Sequence, residues 1–404
     1  MNTLTNSSPP TSSDRSAIPG LRVSVLVPTF NRAHYIAECL DSLLAQTMPA
    51  LEIIVIDDGS EDDTAEVLTR YGQRIRYVRK DNGGKPTAVN LGLSMAQGEL
   101  IWIFDDDDVA LPDAIVNRVA ALQARPDAGF VYTPHFYGSD GADGKIHKGR
   151  PHELPTYAPE NFLFELMKGC FFHLATALVR ADAYRAVGGF DTQLLSSEDY
   201  DIQLRLALTY AAAYCSEPSF IFRQHSGLRG AGAIRYGGNQ RTTVFRRFDQ
   251  RVGKKLKANV PLADYLVPRQ AKVLDRADQR QALLGRMTVM ASKGCLPEMM
   301  DDLQSVLTLL PPNLVPEPAV LGAITEAICT GYAGDAITNQ WDDFKTGLAA
   351  LPPTPAGRAV VRSIATGFLR LAKGYPAPLP VRWMRLKQAC LVTMYSFISK
   401  DNTV

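Results

Sequence analysis

The chain has 404 residues, 46% of them hydrophobic and 21% charged, with 43 Lys+Arg against 42 Asp+Glu. That length exceeds what one hydrophobic core supports, so two domains are expected, and a formal net charge of +1 provides no chain-wide field for nucleic acid or an anionic membrane. The six cysteines are scattered without CxxC or CxxH spacing, which excludes a sequence-readable zinc or redox motif and suits a reducing compartment.

Met1 to about Gly20 is rich in Ser, Thr and Pro and has no apolar run behind a basic start, so it reads as a disordered lead-in rather than a signal peptide. No apolar run approaches the roughly 20 residues that cross a bilayer. The expected location is the cytoplasm, with peripheral contact at the inner face of the membrane as the variant.

Val23 to Val27 (VSVLV) is a β-branched apolar run ending at Pro28 and predicts a buried strand. Ile36, Leu40, Leu43 and Leu44 then follow a helical spacing, with Asn31 as the expected N-cap. The unit recurs. Ile53 to Ile56 predicts a strand, Ser60 with Asp63 resembles a capping box, and Thr64, Val67, Leu68 and Tyr71 mark a helix face ending at Gly72. Ile75 to Val78 predicts a third strand; Ala88, Leu91, Gly92, Met95 and Ala96 a third helix; and Leu100 to Phe104 a fourth strand. Alternating helices and near-continuously apolar strands predict a mostly parallel sheet covered on both faces.

After Phe130 to Tyr132 the alternation gives way to Gly138 to Gly149, expected as a Gly- and Asp-rich loop or flap. Leu174 to Val179 reads as a strand, Ser197 to Leu208 as a helix and Phe220 to Phe222 as a strand. The resulting division is a lead-in over 1–20, an α/β domain over 21–240 and a helical region over 241–404. In the last, Ser292-Lys293-Gly294 and the helix after it resemble one tetratricopeptide-type hairpin, but no second copy recurs at a fixed period. Basic residues from Arg246 to Lys257, and the mixture of Arg382, Trp383, Arg385 and Phe397 near the end, are compatible with a membrane surface and equally with solvated or docked helices.

Ligands of open parallel sheets bind beyond the carboxyl ends of the strands. Here the first strand leads into Pro28-Thr29-Phe30-Asn31-Arg32, the second into Asp57-Asp58-Gly59-Ser60 and the fourth into Asp105-Asp106-Asp107-Asp108. Four consecutive carboxylates repel one another unless cations or donors compensate. Residues two apart on an extended chain share a side, so Asp105 and Asp107 face one way and suit Mg²⁺ or Mn²⁺ that also takes phosphate oxygens. Asp57 or Asp58 could cap the following helix or accept from a base imino group or a ribose hydroxyl. Lys85, after Asn82-Gly83-Gly84, could meet a phosphate. In Ser197-Glu198-Asp199-Tyr200-Asp201, Asp201 reads as a helix-dipole partner, whereas the helix N-terminus would keep Asp199 ionised as a general base.

The ordered set PTFNRAHYI, VIDDGSEDDT, NGGKPTAVNLG, IFDDDD, VGGFD and SEDYD resembles the family 2 glycosyltransferases, inverting enzymes of the GT-A (Rossmann-like) fold, over about residues 21–230. The resemblance implies donor contacts from Pro28, Thr29, Arg32, Asp57, Asp58, Lys85, Asp105 and Asp106. It implies Mn²⁺ or Mg²⁺ held by Asp107 with Asp105 and His225, and catalysis by Asp199 with Glu198 beside it. The implied partners are a nucleoside-diphosphate sugar, a UDP-sugar first, and a saccharide, lipid-linked or protein acceptor. A nucleotidyltransferase would need a Gly-rich basic loop where Pro28 to Arg32 stands, and a non-catalytic binding module would have no use for Asp105, Asp107 and Asp199 together.

Overall fold

The computed structural model describes residues 21–225, 241–269, 273–311, 313–374 and 379–398. The lead-in over 1–20, Ser226 and the side chains of Arg382, Trp383 and Phe397 lie outside the described residues. The chain divides into two compact units, one of residues 1–156 and 171–240, the other of residues 157–170 and 241–404.

In the first unit β1 (Val23–Thr29), α1 (Ile36–Leu44), β2 (Glu52–Asp57), α2 (Thr64–Thr69), β3 (Arg76–Arg79), α3 (Lys85–Met95), β4 (Leu100–Ile103), β5 (Val109–Ala110), α4 (Ala114–Ala124) and β6 (Ala128–Tyr132) follow in order. Two further strands, β7 (His135–Asp140) and β8 (Ile146–His152), precede α5 (Pro159–Lys168), which belongs to the second unit. The first unit resumes with β9 (Leu178–Arg180), α6 (Ala181–Val187), α7 (Glu198–Thr209), β10 (Ala211–Tyr214) and β11 (Phe220–Arg223).

Among the described residues the main sheet has seven strands in the order β10-β6-β9-β4-β1-β2-β3, parallel except for β9, which runs antiparallel to β4 and β6. Both faces are covered, which explains the absence of polar alternation in the central strands. Val23, Val25 and Val27 join the core of Ile36, Cys39, Leu40 and Leu43 on α1. Leu26 and Ile56 point the other way, toward Gly92 of α3. The parallel register sets Thr29 beside Asp57, and Leu26 beside Ile103, so the polar ends of β1, β2 and β4 share one edge.

The expected loop at Gly138 to Gly149 is instead the β7–β8 hairpin of a second sheet, ordered β5-β11-β7-β8. Its Gly and Asp residues make the turn rather than a longer excursion, since Gly144 takes φ 73° and the Lys145 amide donates to Asp143. The stretch Leu174 to Val179 is half strand: Leu174–Thr176 forms a 3-10 turn and only β9 pairs. Two capping assignments also change. Tyr35, not Asn31, precedes α1, because the Asn31 side chain accepts from the Glu61 amide at 2.8 Å and its own amide donates to Ser60 Oγ at 2.9 Å. Ser60 is thereby spent on the β1–β2 edge, and α2 begins after Asp63 without a side-chain cap.

The second unit is helical: α5, α8 (Arg241–Asn259), α9 (Arg276–Ser292), α10 (Leu296–Thr308), α11 (Pro318–Cys329), α12 (Ala333–Asn339), α13 (Trp341–Ala349), α14 (Pro355–Gly374) and α15 (Leu379–Ile398). Gly294, at φ 69°, turns the chain from α9 into α10. Two of the basic residues of α8 meet acids of α10, Lys254 with Glu298 at 3.8 Å and Lys257 with Asp301 at 3.1 Å. No described helix is long and apolar enough to cross a membrane.

Gly92 sets how closely α3 approaches the sheet, since a Cβ there would lie 2.8 Å from Ile56 Cδ1 and 3.2 Å from Leu26 Cδ1. Gly92→Val gains a few tenths of a kcal/mol in helix propensity, but the overpacking costs about 1–3 kcal/mol. The urea midpoint should therefore fall; an unchanged midpoint contradicts this packing.

Candidate active site

Each of the four aspartates after β4 meets a donor from elsewhere in the fold. Asp105 pairs with Lys85 Nζ at the start of α3. Asp106 faces Arg32 Nε at 3.6 Å, and Asp107 Oδ2 lies 2.9 Å from His225 Nε2. Asp108 accepts the Arg223 amide at 2.9 Å. Asp106 and Asp108 are buried and Asp105 and Asp107 half-buried, but the run is a turn rather than the expected extended segment, with the Asp108 amide donating to the Asp105 carbonyl at 3.3 Å. Burial first, and then the charge of Asp107, push the Asp106 carboxyl up to about 7 against the opposing pull of Arg32 and the Thr29 hydroxyl. Pro28 is buried in β1 beside Ile56, and Thr29 is buried at the strand end.

Lys85 joins this edge to α7. Burial alone would lower its ammonium, but Asp105, Glu198 and Asp199 outweigh burial and hold it above its ordinary value. Glu198 and Asp199 occupy the first turn of α7, after Ser197 at φ 59°. Among the described residues Ser197 and Asn31 alone are non-glycine positions with positive φ, and both border this site. Asp199 Oδ1 accepts the Tyr200 amide at 2.8 Å. Burial and then Asp199 push Glu198 up to about 7, while Lys85 pulls the other way.

The VGGFD segment fixes this helix start from behind. Arg205 donates to Asp201 at 2.9 Å, to the carbonyls of Val187 and Gly188 at 2.7 Å each, and to that of Gly189 at 2.9 Å. Asn90 of α3 exchanges two bonds with the backbone of Phe190, at 2.9 and 2.7 Å. Asp201 thus has an ion-pair partner one turn along its own helix.

Asp57 and Asp58 stand apart from the four aspartates. Asp57 accepts from the Ser60 amide at 2.7 Å and Tyr77 Oη at 2.9 Å. Asp58 accepts from Lys80 Nζ at 2.6 Å and from the amides of Gly83 at 3.0 Å and Gly84 at 2.7 Å. The Asn82-Gly83-Gly84 turn is therefore tied to the β2 end, and Gly84, at φ 87°, starts α3.

Three contributors escaped the sequence reading. Lys80 and Tyr77 belong to β3 and its end, an edge strand without a strong apolar signal. Arg223, 1% exposed, donates through Nε to the Asp107 carbonyl at 2.6 Å, pairs with Asp140 and Glu38, and lies 4.6 Å over the Tyr35 ring. It follows the apolar Phe220 to Phe222, so the rule that drew attention to Asp57 and Asp105 applies to it too.

The donor set at Asp107 fits a hard divalent ion in part. Carboxylate and imidazole ligands stand together, but among the described residues no three His, Cys, Asp or Glu side chains are placed to hold an ion. Such a site needs water and ligand oxygens to complete it, as Mg²⁺ and Mn²⁺ sites at phosphates do.

An open α/β sheet with acids, a lysine and a helix N-terminus gathered beyond its parallel strands defines the class of proteins that handle phosphorylated ligands at that edge. Residues 24–188 match the Glycosyl transferase family 2 profile. An uncharacterized glycosyltransferase of Rickettsia prowazekii is 31% identical over 183 residues, covering 45% of this chain and 57% of that one. The chondroitin synthase of Pasteurella multocida is 31% identical over 188 residues, covering 46% of this chain and 19% of that one. The chain thus spans less than two thirds of the length of either relative. The crystal structure of S. aureus TarS 1–349 with UDP-GlcNAc superposes with a TM-score of 0.52 at 18% identity, covering 81% of this chain and 90% of that one. Residues 24–188 of the first unit are thus similar to the family 2 glycosyltransferases, and that unit has the GT-A fold.

Glu198 supplies a pH test on the free protein. A carboxyl raised to about 7 in the fold binds a proton that the unfolded chain has already released, so stability falls as pH rises from about 4.5 toward 7. Glu198→Gln, which mimics the protonated form, should raise the thermal midpoint over wild type at pH 8 and leave it nearly unchanged at pH 5. Equal effects at both pH values contradict the shift.

Proposed function

We propose that the first unit transfers a sugar from a nucleoside-diphosphate sugar, a UDP-sugar, to a hydroxyl of a saccharide, lipid-linked or protein acceptor by a single displacement with inversion. The observation that carries this reading is the continuity of charge from Asp105 through Lys85 to Glu198 and Asp199, which sets a strand-end acid group and a helix-borne carboxylate pair around one cation. The UDP-GlcNAc complex of TarS, which shares the fold, supports a uridine donor.

In this reading Thr29, Arg32 and the Asp57–Asp58 turn receive the nucleoside, and Lys85 meets the diphosphate as a point charge. Asp58 is already bonded to Lys80 and the Gly83–Gly84 amides, and Asp57 to the Ser60 amide and Tyr77 Oη, so their part is to hold that turn, and base contact falls to the neighbouring backbone. Asp107 and His225, with Asp105 alongside, would hold Mn²⁺ or Mg²⁺, which supplies Lewis-acid stabilisation of the leaving diphosphate. Asp199, half-buried at the α7 N-terminus, takes the acceptor proton as the hydroxyl attacks the anomeric carbon. Glu198, raised to about 7, keeps that charge single near neutral pH and so serves as a positioning neighbour.

Asp107→Ala should lower sugar transfer or donor hydrolysis at least ~10²-fold with loss of the metal requirement; unchanged turnover removes the metal assignment. Asp199→Asn should leave UDP binding intact and reduce transfer about 10²–10⁴-fold. Retained transfer in that variant would move the base elsewhere. Both are read by mass spectrometry of UDP-, GDP- and dTDP-sugar consumption.

A further inference from the structure

The formal charge of +1 is unevenly spread along the chain. Residues 241–404 hold 22 Lys and Arg against 13 Asp and Glu, a formal +9, which leaves residues 1–240 at −8. The excess is greatest in α14 and α15, where seven Lys and Arg stand without one acidic residue between Pro355 and Ile398. The other basic helix, α8, differs, because Lys254 and Lys257 are answered by Glu298 and Asp301 of α10.

α14 is two-sided. Val360, Ile364, Phe368 and Leu371 are buried, Phe368 against the rings of Trp341 and Phe344, and a Cβ on Gly367 would lie 2.7 Å from Ile328 Cβ, so this side is packed on α13 and α11. The opposite side exposes Arg362, Thr366, Leu369, Arg370 and Lys373, whose spacings of four, three, one and three a helix collects into one stripe. Leu369 is 38% exposed in the middle of it. Arg370 pairs with Glu326 at 2.5 Å in the open, where an ion pair contributes little and is readily exchanged. Among the described residues no acidic side chain stands within ion-pair distance of Arg362 or Lys373.

No described helix is long and apolar enough to span a bilayer, but a row of cations around an exposed leucine suits a helix lying in the headgroup layer. There the cations meet lipid phosphates and the leucine meets the acyl boundary. A nucleic acid would answer the charges and leave Leu369 in water. An anionic surface repels residues 1–240, so the contact falls to the helical unit.

We infer that the Arg362, Leu369, Arg370 and Lys373 stripe of α14 binds the surface of an anionic lipid bilayer, with no helix crossing it. The test is flotation of the full chain with vesicles of phosphatidylcholine alone or with about one quarter phosphatidylglycerol. Protein should float with the anionic vesicles alone and be released at about 0.5 M salt, where screening shortens the reach of each charge. Arg362→Gln combined with Lys373→Gln should lower the partition coefficient at least tenfold, since each cation at such a surface contributes roughly fivefold. Lys148→Gln combined with Arg150→Gln, which removes two exposed cations from β8, should leave it unchanged. If the α14 double variant loses its cooperative thermal transition, Leu369→Ser decides in its place, with an expected loss of roughly threefold. Vesicle binding needs neither donor nor acceptor, so the result is independent of the transfer chemistry. No flotation of the wild type, equal flotation with neutral vesicles, or binding that survives high salt or the α14 variants overturns the inference. So does an equal loss in the β8 variant, or tighter binding of single-stranded DNA than of anionic vesicles at the same salt.

Discussion

Four adjacent carboxylates at the end of a buried strand cannot be ionised together without compensation, and the first unit is arranged around supplying it. Lys85 comes from α3, Arg32 from the loop after β1, and His225 and the Arg223 amide from the end of β11. Segments distant in sequence therefore converge because each answers a different aspartate. The compensation is incomplete at Asp106, whose burial leaves it at about 7.

Arg223 extends the same constraint to the second sheet. Its guanidinium is shared among Glu38 of α1, Asp140 of β7 and the Asp107 carbonyl, so the position of the third aspartate depends on the β7–β8 hairpin as well as on β4. Lys85 carries it in the other direction, to the first turn of α7. The aspartate turn is thus linked to the β7–β8 hairpin and to α7 by two cations, one buried and one half-buried.

Much of this was legible because each strand in the parallel sheet announces itself as an apolar run, and the residues just past the run lie at the ligand edge. Val23 to Val27, Ile53 to Ile56 and Leu100 to Phe104 could be read in this way, and the aspartates after them with it. The alternation of Asp105 and Asp107 against Asp106 and Asp108 is present although the run turns at Asp106-Asp107, so it comes from the groups around the turn and not from strand geometry. The features that were not legible depend on partners far along the chain. Asn31 and Ser60 have the composition of helix caps, yet each is taken by the other's loop, a contact made only when β1 and β2 lie side by side. The β7–β8 hairpin was hidden because its outer strand is exposed and basic, so hydrophobicity did not mark it. Lys80 and Arg223 are single residues whose roles come from where strands end, not from any local pattern.

The central claim is that this acidic edge receives a uridine diphosphate through a divalent ion. Calorimetric titration of UDP into the protein, with Mn²⁺ and then with the metal chelated, addresses it directly. The account predicts at least tenfold tighter UDP binding with Mn²⁺, about 1.4 kcal/mol, and weaker binding of ADP under the same conditions. Metal-independent UDP binding, or equal affinity for ADP, would contradict it.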